Sequence, residues 1–384
     1  MVSAPVPNPC PPLEVADIFR VSSEEYLRSH RVTTQQRRVL RAIVNCRTAA
    51  MGSHHETCAN CGQPRIAYNS CRNRHCPKCQ QHKQLLWTAQ REAELLPLEY
   101  FHVIFTLPHQ FNEWARRSPR TIYDLLFAAA TQSLLALGQR TLGGALGITA
   151  VLHTWGQTLQ QHIHLHCIVT GGALSADGQR FQRARPGFLG SVEALSANYQ
   201  RHYLAGLQRW AEKTADPSLP RQLRALVESV ATTGWVVYAK RPLCGPQQVI
   251  AYLGRYTQRV AIGNRRLLSL TAGRVRFRWK DYRANGQAKA MELTCEEFTR
   301  RFLQHVLPIG YVRIRHYGLL ASRGREQRLA RCRVLLQASA AEQLAPRDLR
   351  LSAEAVNSRW CAACQEALRV RQREAGEMIF PLRE

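Results

Sequence analysis

Three histidines recur at every second position of one short segment, HIHLHCIVTGG, which spans residues 162–172. Alternate side chains of a strand point to the same face, so His162, His164 and His166 would line one face while Ile163 and Leu165 enter a core. Neutral imidazoles are common metal ligands, and a metal ion can stabilise charge on a phosphoryl group during its transfer. The spacing therefore predicts a divalent-metal site on a strand.

The charge of the chain indicates what such a site would act on. The 384 residues include 53 lysines and arginines against 27 acidic residues, a formal net charge of +26. This excess predicts a polyanionic partner, with nucleic acid favoured over an anionic membrane. The same positive charge favours a metal ion that acts on a nucleic-acid phosphate. The alternative is a zinc ion that activates water, as in a hydrolase. No signal peptide or membrane-spanning run is recognisable, so the sequence predicts a cytoplasmic protein that does not enter a membrane.

A candidate nucleophile for phosphoryl transfer lies in the segment VIAYLGRYTQRVAI. Tyr252 and Tyr256 are four residues apart and would share one face of a helix. Arg255 and Arg259 would hold a phosphate nearby and favour the phenolate. An aromatic pair packed into a core would show the same spacing. The tyrosines are therefore candidate nucleophiles only in combination with the histidine site.

The cysteines predict zinc. Cys58-x-x-Cys61 and Cys76-x-x-Cys79 are two turns of the kind that presents four thiolates to one zinc ion, a closed structural site. The remaining candidate ligands of this stretch could form a second zinc site, with His55 as a competitor: Cys46, His54, Cys71 and His75. Further on, Cys361 and Cys364 form a lone pair that Cys332 could extend by one ligand. That pair is compatible with an unfilled or intermolecular site, or with a purely structural role.

Basic residues recur where DNA phosphates could bind. The segment RVRFRWK places Arg274, Arg276, Arg278 and Lys280 on one face of a strand, and YVRIRHYG repeats the pattern with Arg313 and Arg315. Within the cysteine-rich module, Arg72, Arg74 and Lys78 make the surface basic. These residues predict a phosphate track, although a solvated sheet edge would show the same alternation.

The order of elements predicts an α+β fold with an antiparallel sheet, because helices and strands alternate without a regular βαβ pattern. Residues 1–33 are rich in prolines at their start and are predicted to be an irregular lead-in. A helix is predicted from Thr34, within a zinc-binding DNA-recognition domain over residues 34–97. A catalytic domain over 98–325 and a basic tail over 326–384 complete the chain.

Six segments, taken together, resemble a known family in their order and spacing: CRTAAMGSH, AYNSCRNRHCPKCQ, FHVIFTLP, LHTWGQTLQQHIHLHCIVTGG, YLGRYTQRVAIGNRR and YVRIRHYG. They resemble the rolling-circle transposases of the two-tyrosine HUH class, of the insertion-sequence ninety-one type. The resemblance implies an N-terminal zinc-binding domain and an HUH nuclease with a ferredoxin-like antiparallel sheet. It implies Mg²⁺ or Mn²⁺ at two of the three histidines. It also implies that Tyr252 and Tyr256 form 5′-phosphotyrosine links.

The same resemblance implies the partners and the cellular setting. They are the single-stranded ends of a mobile element, the target DNA and, because no helicase-type phosphate loop is recognisable, a host helicase. The expected location is the cytoplasm of a bacterium, at the nucleoid, and the oligomeric state stays open. A plasmid replication initiator or relaxase would use the same chemistry. A non-catalytic zinc-dependent DNA-binding regulator would leave the histidines unexplained.

Overall fold

The computed structural model describes residues 13–58, 60–79, 87–88, 90–187, 189–214, 218–240, 260–337 and 368–373. The helices are α1 (Val15–Ser29), α2 (Thr34–Asn45), α3 (Asn112–Arg117), α4 (Pro119–Leu142), α5 (Val192–Glu212), α6 (Leu219–Ala231), α7 (Cys295–Leu303) and α8 (Arg325–Leu335). The strands are β1 (Ser53–Cys58), β2 (Pro64–Tyr68), β3 (Tyr100–Thr106), β4 (Ala145–Trp155), β5 (Gln161–Leu174), β6 (Phe181–Arg183), β7 (Val237–Lys240), β8 (Leu267–Thr271), β9 (Arg274–Asp281), β10 (Gln287–Thr294), β11 (Ile314–Gly318) and β12 (Leu368–Arg373). The predicted α+β class with antiparallel sheets is confirmed.

The central sheet has the strand order β11-β4-β5-β3-β7, and β6 pairs with the end of β5. All of these pairings are antiparallel. Because side chains alternate along β5, its apolar set, which includes Ile163 and Leu165, enters the main core while the histidines face the other way. Helices α4 and α5 cover the apolar face and fix the sheet in place.

Helix α4 is the main core helix of this domain. Pro119 occupies its first turn, where the missing N–H costs nothing, and Gly143 ends it in the left-handed conformation with φ 65°. Among the described helices it alone is long and apolar enough to cross a membrane. Ile122, Leu126 and Phe127 are fully buried in the main core. Packing against the sheet therefore accounts for its composition.

A second packed unit joins the beginning of the chain to residues 260–303. Helix α1 contacts α7: Phe19 meets Phe302 edge to face at 5.1 Å between ring centroids, and the hydroxyls of Ser22 and Thr299 lie 2.8 Å apart. The prediction that residues 1–33 are irregular is thus wrong for Val15–Ser29. Apolar residues at helical spacing determine the secondary structure of Val15–Ser29, and the prolines before them do not. The helix buries its apolar face against α7 and the β8–β10 sheet.

The C-terminal region also differs from the predicted tail. Helix α8 buries Leu329 and Cys332 in a small core with Leu319. Strand β12 pairs antiparallel with β1, with Cys58 opposite Leu368 and His54 opposite Arg373. The predicted helix starting at Thr34 is confirmed, and Thr33 caps it by accepting the backbone N–H of Gln36.

Candidate active site and zinc centre

Three buried histidines from two neighbouring strands converge on one face of the central sheet. His153 on β4 lies opposite His164 on β5 in the strand register, and His166 follows two residues later. One ring nitrogen of each lies within 4.8 Å of those of the other two. His162 was predicted to join His164 and His166, but it is exposed and outside this group. The third histidine is instead His153, which the pairing of β4 with β5 brings to the site. Spacing within the β5 sequence could not have predicted it.

Hydrogen bonds orient two of the three rings. His164 Nδ1 donates to the carbonyl oxygen of His162 at 2.9 Å, which leaves the lone pair of the neutral ring on Nε2. His166 Nδ1 lies 2.8 Å from Nε2 of His102, a buried residue of β3. Partners of this kind fix the tautomer and direction of metal-binding imidazoles. His102 was not singled out in the sequence; the only signal is a histidine inside the apolar strand FHVIFTL.

Burial keeps the rings of His164 and His166 neutral. Burial lowers the pKa of His164 to about 3, with a smaller contribution from His162. Burial, and next the neighbouring His153, places the pKa of His166 well below the ordinary value. A neutral imidazole offers a lone pair, so the donor set suits a divalent cation. Three nitrogen ligands favour manganese or zinc over magnesium, which prefers oxygen.

The predicted tyrosine helix cannot be compared with this geometry. Tyr252, Tyr256, Arg255 and Arg259 lie outside the described residues. The strand that precedes them is described: β7 pairs with β3 at the sheet edge, with Tyr238 opposite Ile104 and Lys240 opposite His102. On its other edge, β3 pairs with β5, where Ile104 lies opposite His166. Residues that lie opposite one another on neighbouring strands share a face of the sheet, so Tyr238 is on the same face as His166.

Four thiols come together to form the zinc centre: Cys46, Cys71, Cys76 and Cys79, with sulfur atoms within 4.8 Å of one another. Cys46 ends helix α2, and the backbone N–H of Cys79 donates to the carbonyl of Cys76 at 3.1 Å in a tight turn. A hydrogen bond from Cys71 lowers the pKa of Cys46 to about 7. The thiol cluster abuts the core of helices α1, α2 and α7.

The predicted grouping of ligands is therefore corrected. The cluster contains neither Cys58 nor Cys61, which close the β1–β2 hairpin instead. His54 contacts Asn69 and Glu56, each at 3.1 Å. Local spacing suggested that the two CxxC turns belong together, but the fold brings Cys46 and Cys71 to the second turn. The pair Cys361 and Cys364 lies outside the described residues.

The prediction that His75 is a ligand of a second zinc site is also corrected, because both of its ring nitrogens have protein partners. Nδ1 lies 3.0 Å from Asn73 Oδ1, and Nε2 accepts the backbone N–H of Leu307 at 3.3 Å. Burial lowers its pKa to about 3. His75 thus ties the zinc module to the loop before β11 and is not a metal ligand.

Some of the residues predicted to contact DNA are exposed, and others already form hydrogen bonds or ion pairs within the protein. On β9, Arg276, Arg278 and Lys280 are exposed on one face, while Val275 and Phe277 are fully buried on the other. Arg274 on the same exposed face pairs with Glu292 at 2.5 Å. The exposed face of β9 is therefore basic, as the alternation predicted.

Most of the other predicted DNA contacts have structural roles. Arg74 donates to two carbonyl groups, those of Tyr311 and Pro308, and Lys78 pairs with Glu14 at 2.7 Å. Arg313 is buried, and Arg315 pairs with Asp124 at 2.6 Å and lies over the ring of Phe127. Arg72 stays exposed. The prediction of a second basic strand face at 313–315 is wrong, because Arg313 is buried and Arg315 is paired with Asp124.

Comparison with known proteins decides the family. A family model described as "Putative transposase" matches residues 147–328, and one described as "Transposase zinc-binding domain" matches residues 18–107. "Putative transposase y4qJ" of Sinorhizobium fredii is 47% identical over 371 residues, covering 92% of this chain and 93% of that protein. "Transposase for insertion sequence element IS801" of Pseudomonas savastanoi pv. phaseolicola is 30% identical over 299 residues, covering 73% and 69%. No solved structure matches the chain.

The chain belongs to the IS91-type transposases. In this transposase the zinc-binding match contains all four clustered cysteines, and the match at residues 147–328 contains His153, His164 and His166. Membership of the family makes DNA the substrate and DNA cleavage and transfer the activity. The clustered thiols and the zinc-binding match together support structural zinc.

Proposed function

We propose that this transposase cleaves and joins single strands of DNA through 5′-phosphotyrosine links on Tyr252 and Tyr256, in rolling-circle transposition. The observation that carries the proposal is the buried trio His153, His164 and His166, which converges on one face of an antiparallel sheet. The tyrosine-bearing segment VIAYLGRYTQRVAI begins at Val249 and is separated by residues 241–248 from the end of β7, an edge strand of this sheet.

The reaction follows from the proposed groups. The hydroxyl oxygen of one tyrosine attacks the scissile phosphorus, forming a P–O bond to the phenol while the bond to the 3′-oxygen breaks. The tyrosine proton passes to solvent and the departing 3′-oxygen takes up a proton. The second tyrosine repeats the exchange on another strand. The free 3′-hydroxyl then attacks the phosphorus of a phosphotyrosine, forming a new phosphodiester while the bond to the tyrosine oxygen breaks and the phenol regains a proton. The energy of the phosphodiester is kept throughout, so no nucleotide cofactor is required.

His164 and His166, with His153, would hold the divalent ion through neutral ring nitrogens. When bound, a divalent ion neutralises charge that develops on the phosphate oxygens. The hydrogen bonds that His164 donates to the carbonyl oxygen of His162 and that His166 donates to Nε2 of His102 would hold the two rings in fixed directions before DNA arrives.

The exposed basic face of β9 supports a path for the DNA backbone. Arg276, Arg278 and Lys280 are spaced every second residue along one strand. Small Ala290 and Ala288 lie opposite Arg278 and Lys280 on β10, so the neighbouring strand leaves the basic side chains accessible. A row of cations of this kind binds phosphates without reading bases, as expected for a strand that must slide through a nuclease.

A covalent-adduct assay tests the proposal. Purified protein is mixed with labelled single-stranded DNA from the ends of the element, with Mn²⁺ or with EDTA, and run on a denaturing gel. We expect an adduct that needs Mn²⁺ and disappears in the double variant Tyr252→Phe, Tyr256→Phe. The control Tyr238→Phe, which alters an exposed tyrosine on the histidine face, should keep the adduct. Cleavage that persists in the double variant would reject the tyrosine mechanism.

A further inference from the structure

A cleft of about 210 Å³ opens at the end of strand β3, between residues 106–110 and residues 233–236. One of the residues that line it, Thr106, lies opposite His164 in the register of β3 and β5. Residues in such a pair share a face of the sheet, and their β-carbons are about 4.5–5.5 Å apart. The cleft therefore borders the histidine face, beside a proposed metal ligand.

The core of the domain holds both walls of the cleft in place. Phe111 directly follows one wall and Trp235 lies within the other, both are buried, and their rings meet edge to face at 5.7 Å between centroids. Trp235 Nε1 donates to the carbonyl of Val230 at 3.2 Å. The backbone N–H of Thr106 donates to the carbonyl of Val236 at 3.0 Å and joins the two walls. A ligand thus enters a site that is already formed, which lowers the entropy cost of binding.

The lining offers apolar surface and one unpaired hydrogen-bond acceptor. The side chain of Val236 is 59% exposed, and a β-carbon added at Gly234 would meet no atom within 4 Å. Oε1 of Gln110 is buried and has no hydrogen-bond partner in the described part of the chain. A buried acceptor without a partner costs free energy, so a ligand that donates to it gains affinity. A flat ring with an amino group on its edge meets both conditions.

We propose that this cleft binds one base of the DNA strand, turned out of its stack, and so fixes the register of the strand at the histidines. The inference rests on the proposed function, because it takes the substrate to be single-stranded. The face of the base packs on Val236, and an exocyclic amino group donates to Gln110 Oε1. Adenine, cytosine and guanine carry such a group, whereas thymine does not, so thymine is disfavoured in the cleft.

An abasic scan tests the proposal by equilibrium binding. Labelled single strands from an end of the element carry one abasic site, moved nucleotide by nucleotide, and fluorescence anisotropy gives their affinities for the double variant Tyr252→Phe, Tyr256→Phe, which leaves the strands intact. We expect one sensitive position, where loss of the base weakens binding about tenfold.

Filling the cleft should remove this sensitivity. Gly234 is exposed and has open space beside it, so Gly234→Leu narrows the cleft without displacing the core. Added to the double variant, it should weaken binding of the intact strand by the same factor of about ten and make the abasic site at the sensitive position harmless. Thr232→Leu, at an exposed neighbour that does not line the cleft, should keep the full abasic effect.

Gln110→Leu tests recognition of the amino group. In the double-variant background, thymine at the sensitive position should bind more weakly than the other three bases, and Gln110→Leu should abolish that difference. The proposal is overturned if no single position is sensitive, if Gly234→Leu keeps the abasic effect, or if discrimination against thymine survives Gln110→Leu. These measurements need no reactive tyrosine, so their failure would leave the tyrosine mechanism standing, and failure of that mechanism would leave the cleft.

Discussion

His102 and His166 share a buried hydrogen bond, 2.8 Å between Nε2 of the first and Nδ1 of the second. The two residues come from adjacent strands, β3 and β5, in the middle of the central sheet. If His166 binds a metal ion through Nε2, its Nδ1 carries the proton and His102 accepts it. His102 would then act as a positioning residue, which contacts the metal ligand His166 and not the ion itself.

Replacing His102 tests this role. We expect His102→Leu to weaken Mn²⁺ affinity by about 10–100-fold, because the ring of His166 loses its fixed direction. His102→Gln, which can accept the same hydrogen bond, should restore much of the affinity. Isothermal titration with Mn²⁺ measures both variants. Natural Mn²⁺ affinity in a folded His102→Leu protein would show that the hydrogen bond is structural only.

Arg74 links the zinc module to the loop that precedes β11, since its guanidinium donates to the carbonyls of Tyr311 at 2.5 Å and Pro308 at 2.9 Å. Hydrogen bonds from a charged donor stabilise more than neutral ones, so Arg74→Ala should lower the free energy of unfolding by about 2–3 kcal/mol. Arg72→Ala, at an exposed neighbour, is the matched control and should change it by less than about 0.5 kcal/mol. Urea titration compares the two; equal effects would contradict the link.

The basic face of β9 predicts a change in salt dependence. For single-stranded DNA, the slope of log affinity against log salt changes by about 0.7 for each phosphate that the protein no longer neutralises. Replacing Arg276, Arg278 and Lys280 together by alanine should therefore reduce the slope by about 2. Arg274→Ala should have a smaller effect than any of these, because that side chain already pairs with Glu292. Fluorescence anisotropy at several salt concentrations gives the slopes, and an unchanged slope would exclude this face from the path of the DNA.

His305 predicts a loss of stability in acid. It is fully buried, donates from Nε2 to the carbonyl oxygen of Leu159 and accepts the hydroxyl of Thr154 at Nδ1, and burial lowers its pKa to about 4. The unfolded chain takes up this proton near pH 6.5 and the folded chain only near pH 4. Stability therefore falls as pH falls through this window, by up to about 1.4 kcal/mol per pH unit. In His305→Gln this contribution is gone, so its deficit relative to the natural protein should shrink between pH 7 and pH 5. Parallel stability curves for the two proteins would contradict the assignment.

The sequence indicated the strands better than it indicated the sites. Alternation in HIHLHC correctly predicted the faces of β5, because one face is apolar and must be buried. It missed His153, since the register of β4 against β5 depends on contacts between segments and not on spacing within one. The signal was available as a single histidine in the otherwise apolar strand ITAVLHTW.

The cysteines show the same limit. Two CxxC turns of equal spacing looked like one site, yet only Cys76 and Cys79 join the cluster, and Cys46 reaches it from the end of helix α2. Ligand choice is decided by which elements pack together, and helix α1, predicted to be irregular, is part of that packing. The roles of Tyr252 and Tyr256 stay a prediction, because these residues lie outside the described part of the chain.

Identification of the residue that carries DNA tests whether Tyr252 and Tyr256 are the nucleophiles. The Mn²⁺-dependent reaction with single-stranded DNA is stopped by denaturation, the DNA is trimmed by nuclease, and the peptide that retains a nucleotide is located by mass spectrometry. We expect a phosphodiester on Tyr252 or Tyr256. A nucleotide attached to Tyr238 or to a serine, or cleavage without any attached peptide, would contradict it.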